Sequence, residues 1–207
     1  MFALLQAAGW PAWPLLACSV AALALALDRM LALRGSKIAP AGLVSEALNV
    51  ATVRGSTPEV LAALSRSCAL GSILAEGLRA GHGNPRARVS EVRRALEQEG
   101  RAASARLERG LPALATIASV APLLGLLGTV VGMIEIFGAS ASAIGGDPVA
   151  LARGISVALY NTAFGLIVAI PALVFWRYFR SRVDDALLRM EIESERFATL
   201  LAGARQP

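Results

Sequence analysis

Thr129 and Glu135 lie within residues 111–137, in a stretch with no other charge. Asn161 and Thr162 lie side by side in a second apolar stretch, about residues 149–178. A hydroxyl or an amide can orient water or hydrogen-bond a carboxyl group without adding a fixed charge of its own. A carboxylate in such a setting is expensive to keep, and it normally has a function. Glu135 is the only carboxylate inside these two apolar stretches. A six-residue step turns it about 120° away from Thr129 on a helix, so the two face different neighbours. Hydrogen bonding and proton handling are therefore the chemistry on offer. The sequence holds no nucleophile–base set, no phosphate loop and no metal spacing, so no enzyme, cofactor or metal site is expected. His82, in GHGNP, is the single histidine, and Cys18 and Cys68 form no CxxC. All three read as ordinary residues, with both thiols free.

The elements that must hold these groups are spanning helices. A helix rises about 1.5 Å per residue, so residues 111–137 are enough for a bilayer core of about 30 Å. The small residues of this stretch are ordered. Ala121, Gly125, Gly128 and Gly132 fall near one face, at spacings of four, three and four. Gly154, Ala158, Thr162, Gly165 and Ala169 repeat the pattern in the next apolar block, with Asn161 beside the stripe. Close helix–helix contact in a membrane uses small residues. Glycine is also simply common in such helices, but two matching faces, each with an embedded threonine, point to helices that build a path between subunits.

Composition agrees. The chain has 207 residues, of which 56% are hydrophobic and 17% charged. A soluble domain carries about 25% charge. The net charge of +5 is almost wholly arginine, because Lys37 is the only lysine. A basic balance of this kind could mean nucleic acid, but membrane topology explains it more simply and no nucleic-acid partner is expected.

Taken in order, residues 1–12 form a short periplasmic or interfacial N-terminal segment, with residues 1–9 suited to an interfacial helix. The first span covers residues 13–33, with Trp10 and Trp13 at its starting interface and no charge before Asp28. The first basic residue follows the apolar core, so an uncleaved helix is preferred to a signal peptide. Residues 34–110 form a polar, mostly helical domain punctuated by Pro40 and by the turn-prone residues 55–58 and 81–85. In it, Arg93 with Glu97 and Glu97 with Arg101 have the spacing of helical ion pairs. The second span is 111–137, a short loop is 138–148, and the third span is 149–178 with Pro171 in its far half. Residues 179–207 form an amphipathic tail with Val183, Leu187, Met190, Phe197 and Leu201 on one face and Asp185 and Arg189 paired on the other.

The arginines set the orientation. The segment before the first span and the loop after the second have none, while the segments after the first and third spans hold nearly all of them. The positive-inside rule then puts the N-terminus outside, in the periplasm, and the C-terminus in the cytoplasm.

At this point the chain resembles the MotA/TolQ/ExbB proton-channel family, most closely its ExbB/TolQ branch. ASVAPLLGLLGTVVG, from Ala118 to Gly132, is similar to that family's P-x-x-G-L-x-G-T-V-x-G signature. GISVALYNTAFGLIVAIPA, from Gly154 to Ala172, is similar to its G-I-x-x-A-L-x-x-T-A-x-G-L-x-x-A-I-P signature. The order of parts agrees over essentially the whole chain.

The resemblance implies an all-α membrane protein with three transmembrane helices, long cytoplasmic helical extensions and a homo-oligomeric ring, a pentamer in the family. It implies an ExbD/TolR-like single-span partner that carries the protonated aspartate, a TonB/TolA-like energy transducer beyond it, and surrounding inner-membrane lipid. By the motif match, Thr129 and Thr162 fall on the two threonines that line the family's path, with Asn161 and Glu135 as further candidates. One position departs: where many relatives carry a glutamate in the third span, this chain has Val157. Two other readings remain in view, a non-conducting membrane scaffold and a MotA-type flagellar stator. The latter branch has four spans and a larger cytoplasmic domain.

Overall fold

The computed structural model describes residues 10–33, 38–40, 42–49, 57–82, 89–141 and 148–203. The expected interfacial helix over residues 1–9, the GHGNP turn beyond His82 and most of the loop before Pro148 lie outside the described residues. The described residues fold into seven helices: α1 Ala12–Ala32, α2 Leu43–Asn49, α3 Pro58–Ser67, α4 Ala69–His82, α5 Val89–Glu108, α6 Leu111–Ala141 and α7 Pro148–Gly203. The protein is all-helical among these residues. Three helical stretches are long and apolar enough to cross a membrane, within Ala12–Ala32, Val89–Gly138 and Gly154–Gly203.

The chain divides into two compact units. The first joins Met1–Arg29 to Gly110–Tyr178. In it α1 packs through Leu15 on Ala121 and Ala169, and Leu124, Phe164 and Val168 close around them. The outward faces keep Leu23, Leu123, Val130, Ile134, Ile167 and Ile170 exposed. Exposed aliphatic side chains on helices of this length are what lipid contact asks for. Gly110 starts the second passage at φ +83, a left-handed conformation that favours glycine, and a Cβ there would stand 3.3 Å from Leu25.

The second unit joins Met30–Arg109 to Phe179–Pro207. Leu70, Leu74, Phe179, Val183 and Phe197 are almost wholly buried in it. Thr57 precedes α3, and Pro58 takes a first-turn position where its missing N–H is harmless. The chain then breaks at Cys68, which is extended at φ −165 and ψ 174. Its Sγ accepts a hydrogen bond from the Gly71 N–H at 3.2 Å. A Cβ on Gly71 would collide with the Leu64 carbonyl oxygen, so this tight corner between α3 and α4 requires glycine. Neither proline nor a glycine cluster marks the corner in the sequence.

The tail is not a separate helix. It continues α7 without a break through Pro171 to Gly203. Val183, Met190, Phe197 and Leu201 are buried along it, and Leu187 and Ser194 are half-buried. The ion pairs differ from those the spacing suggests. Arg93 turns from Glu97 to Glu195 on α7, and Arg106 takes Glu99 at 2.7 Å. Arg180 pairs with Asp184 at 3.2 Å and with Glu108 at 3.4 Å, whereas Asp185 and Arg189 do not pair with each other. Arg93 thus takes a partner on another helix in place of one on its own face, while Arg180 has one of each.

Candidate functional site in the paired spans

The two small-residue faces meet each other inside one chain. A Cβ built on Gly125 would lie 2.7 Å from the Asn161 carbonyl oxygen and 3.0 Å from the Thr162 Cα. One on Gly165 would lie 2.6 Å from the Ala121 carbonyl oxygen. One on Gly132 would reach Ala158 at 3.2 Å, and one on Gly154 would reach Ile136 at 2.6 Å. Residue numbers rise on α6 as they fall on α7, so the helices run antiparallel with backbones almost touching. The sequence suggests that these faces build a path between subunits. In the structure they close against each other within a chain. Ala169 belongs to the same seam, 5% exposed against Ala121 and Leu15.

Asn161 sits in the middle of the seam and is 2% exposed, the one buried polar residue among those described. Its side chain covers Gly128, where a Cβ would meet Asn161 Cβ at 2.8 Å and Nδ2 at 2.9 Å. A buried amide in a membrane helix is costly unless its polar atoms are satisfied, so the site is specified by both residues together.

Thr162 and Thr129 are half-buried at the seam's edge. The helical repeat of about 100° per residue turns each of them roughly 60° off the contact line. Because the helices are antiparallel, both turns lead to the same flank. The contacts at Gly125 and Gly128 put the two threonines within about one helical turn of each other in height. Thr129 Oγ1 donates to the Leu126 carbonyl at 2.7 Å, which holds the hydroxyl against its own helix. Thr129 also edges an open apolar recess of about 500 Å³ made with Val130, Met133, Ile134 and Phe137.

Glu135 is elsewhere. It is exposed, and its turn along α6 puts it on the opposite flank from the threonines. Val157 of α7 shares that flank, at nearly the same height, because Gly132 faces Ala158 and Ile136 faces Gly154. The structure thus brings Asn161, Thr162 and Thr129 together and leaves Glu135 apart.

Three serine and threonine hydroxyls lie on the outer faces of the second and third spans: Thr116, Ser119 and Ser156. Each donates to a carbonyl one turn back, Thr116 to Pro112 at 2.9 Å, Ser119 to Ala115 at 3.1 Å and Ser156 to Ala152 at 3.0 Å. Sequence reasoning passes over them because they fall outside the glycine stripes. Among the described residues no cluster of histidine, cysteine and carboxylates is arranged to hold a metal.

The region that contains this site is also the region of likeness to known proteins. Residues 66–192, more than half of the chain, match the MotA/TolQ/ExbB proton channel family. The biopolymer transport protein exbB1 of Vibrio cholerae is 33% identical over 191 residues, which cover 90% of this chain and 82% of that protein. A biopolymer transport protein ExbB homolog of Methanothermobacter thermautotrophicus is 35% identical over 156 residues, 67% of this chain. The Tol-Pal system protein TolQ of Pseudomonas aeruginosa is 34% identical over 118 residues, 57% of this chain. The matched part spans about half of each of the last two proteins, 54% and 51%.

Proposed function

Because this chain belongs to the MotA/TolQ/ExbB proton channel family, we propose that it is an ExbB/TolQ-like subunit of a proton-driven motor in the bacterial inner membrane. In this reading several copies, five by family resemblance, form a ring around the membrane helices of an ExbD/TolR-like partner. The partner supplies the carboxylate that takes up the proton. The ring supplies hydroxyl and amide groups that bind that carboxylate or its water in either protonation state. A TonB/TolA-like transducer then carries the work to transport or to the cell envelope. The N-terminus faces the periplasm and both polar segments face the cytoplasm.

The observation that carries this reading is the polar group at a glycine-packed seam: Asn161 over Gly128, with Thr162 and Thr129 on one flank. Moving one charge through the membrane potential is worth about 2.3 kcal/mol per 100 mV. Harvesting it requires polar groups held where ions do not leak, and backbones this close leave no room for water between the two helices. Neutral groups suit the task because they favour neither charge state of the partner's carboxyl strongly. The test is proton flux into liposomes that hold the chain with and without an ExbD/TolR-like protein. Flux that requires both proteins supports the proposal. An assembled complex that carries none, with native lipid and an imposed potential, favours the scaffold instead.

A further inference from the structure

Pro122 stands inside α6, and the helix runs past it without a break from Leu111 to Ala141. Proline has no N–H, so the Ala118 carbonyl, one turn back, lacks its helical donor. Among the described residues no side chain replaces that donor. The Ser119 hydroxyl turns to the Ala115 and Thr116 carbonyls, and the Thr116 hydroxyl to the Pro112 carbonyl. A carbonyl freed in this way takes up water or a polar group where one can reach it. Its place on the helix decides what reaches it. Ala118 and Pro122 stand eleven and seven residues before Thr129, each within about 20° of it around the helix. Both are half-buried, as Thr129 is. Leu15 of α1 packs beside Leu124 and Val168, on the other flank of the seam. Leu126 and Leu166, on the threonine flank, stay exposed. The freed carbonyl therefore opens on the same side as Thr129 and Thr162.

We propose that the Ala118 carbonyl is a water-binding acceptor that extends the polar flank from the threonines toward the start of α6. The height suits water. The Thr162 Cα lies against Gly125, which puts the carbonyl about 9 Å from it along the axis, a gap that two waters span at ordinary hydrogen-bond distances. In the proton-motor reading, on which its use rests, this water passes protons between Thr162 and the cytoplasmic end of the spans. Pro171 is the contrast within the same pair of helices. It frees the Ile167 carbonyl of α7, but Pro171 lies nine residues from Thr162, half a revolution around the helix. Ile167 is exposed on the outer face, so that carbonyl does not join the flank.

Water contact can be measured without flux. Solid-state NMR of the full-length protein in lipid, with an ExbD/TolR-like protein, selects the Ala118 carbonyl by its bond to the Ser119 nitrogen and times magnetisation transfer from water. The signal is identified by its loss in Ser119→Thr when only serine nitrogen is labelled. Pro122→Ala returns the N–H and should slow the transfer at least about three-fold, because the carbonyl is then bonded within its helix. Pro171→Ala should leave it unchanged. A dry Ala118 in the native protein, or equal transfer in Pro122→Ala, overturns the proposal. Proton flux into liposomes reads the use of this water. Pro122→Ala should cut flux about ten-fold with the partner still bound. Pro122→Ser also returns the N–H but puts a hydroxyl on the same flank, and should recover at least about a third of the native flux. Equal losses in Pro122→Ser and Pro122→Ala, or in Pro171→Ala and Pro122→Ala, would mean that the prolines act by bending the helices and would overturn the proposal. A wet Ala118 in a native complex that carries no protons supports the acceptor and counts against the motor reading alone.

Discussion

Gly128 and Asn161 form one object: the amide side chain of α7 lies flat over the bare backbone of α6, with Nδ2 2.9 Å from where a Cβ would be. Any side chain at 128 must displace either a buried amide or a helix. Gly128→Leu should therefore destabilise the subunit itself, by at least the roughly 1–3 kcal/mol typical of overpacking. Gly138→Ala, on the same helix with nothing within 4 Å, is the control and should cost no stability. Thermal unfolding in detergent distinguishes them. A normal melting curve for Gly128→Leu would show that the two helices are free to part.

Gly100 offers the opposite case. It lies inside α5, and a Cβ there would meet nothing within 4 Å. Gly100→Ala should stabilise the protein by about 0.5–1 kcal/mol through helix propensity. Loss of stability on this substitution would mean that the open side of α5 is covered in the assembled protein.

The spans and the small faces were legible in the sequence because both follow from periodicity, and a period survives without knowledge of partners. What those faces touch was not legible. Gly125 and Gly165 look equally suited to a neighbouring subunit or to the next helix, and only the antiparallel register decides between them. The same limit explains the ion pairs. Spacing offered Glu97 to Arg93, but Glu195, 102 residues away, is the partner. The corner at Cys68 was invisible because its cause is contact between Gly71 and Leu64, not a turn residue. Asn161 was visible as a polar residue beside the stripe, but its burial depends on Gly128 of the other helix.

Orientation can be read directly. A membrane-impermeant thiol reagent applied from the periplasmic side should label a cysteine placed at Ser142, in the segment outside the described residues, and should miss Cys68. The opposite pattern would reverse the assignment made from the arginines.

Glu135 and Val157 share a flank at nearly the same height. A carboxylate introduced as Val157→Glu would thus stand close to the one already present on α6. Like charges that close cannot both ionise cheaply in a membrane setting. Val157→Glu alone should therefore shift the pH dependence of proton flux, and Val157→Glu with Glu135→Gln should remove most of that shift. If the two variants have the same pH profile, Glu135 is too far away to interact and belongs to interfacial water.

Thr162 carries the sharpest expectation. It is half-buried, it shares its flank with Thr129, and its Cα lies against Gly125. Thr162→Val keeps nearly the same shape, so the contact with Gly125 and the assembly should survive. Only the hydroxyl is lost. A hydrogen bond to a charged or titrating group is worth roughly 1.5–3 kcal/mol, and a barrier raised by that amount slows transfer about ten- to hundred-fold. Thr129→Val should act more weakly, because the Thr129 hydroxyl is already engaged by the Leu126 carbonyl at 2.7 Å. The order of the two effects is therefore part of the prediction. Native mass measurement establishes that each variant still binds its partner, and flux in liposomes gives the rate. Normal flux in an intact Thr162→Val complex would take this residue out of the proton path, and the seam would then be a packing device only.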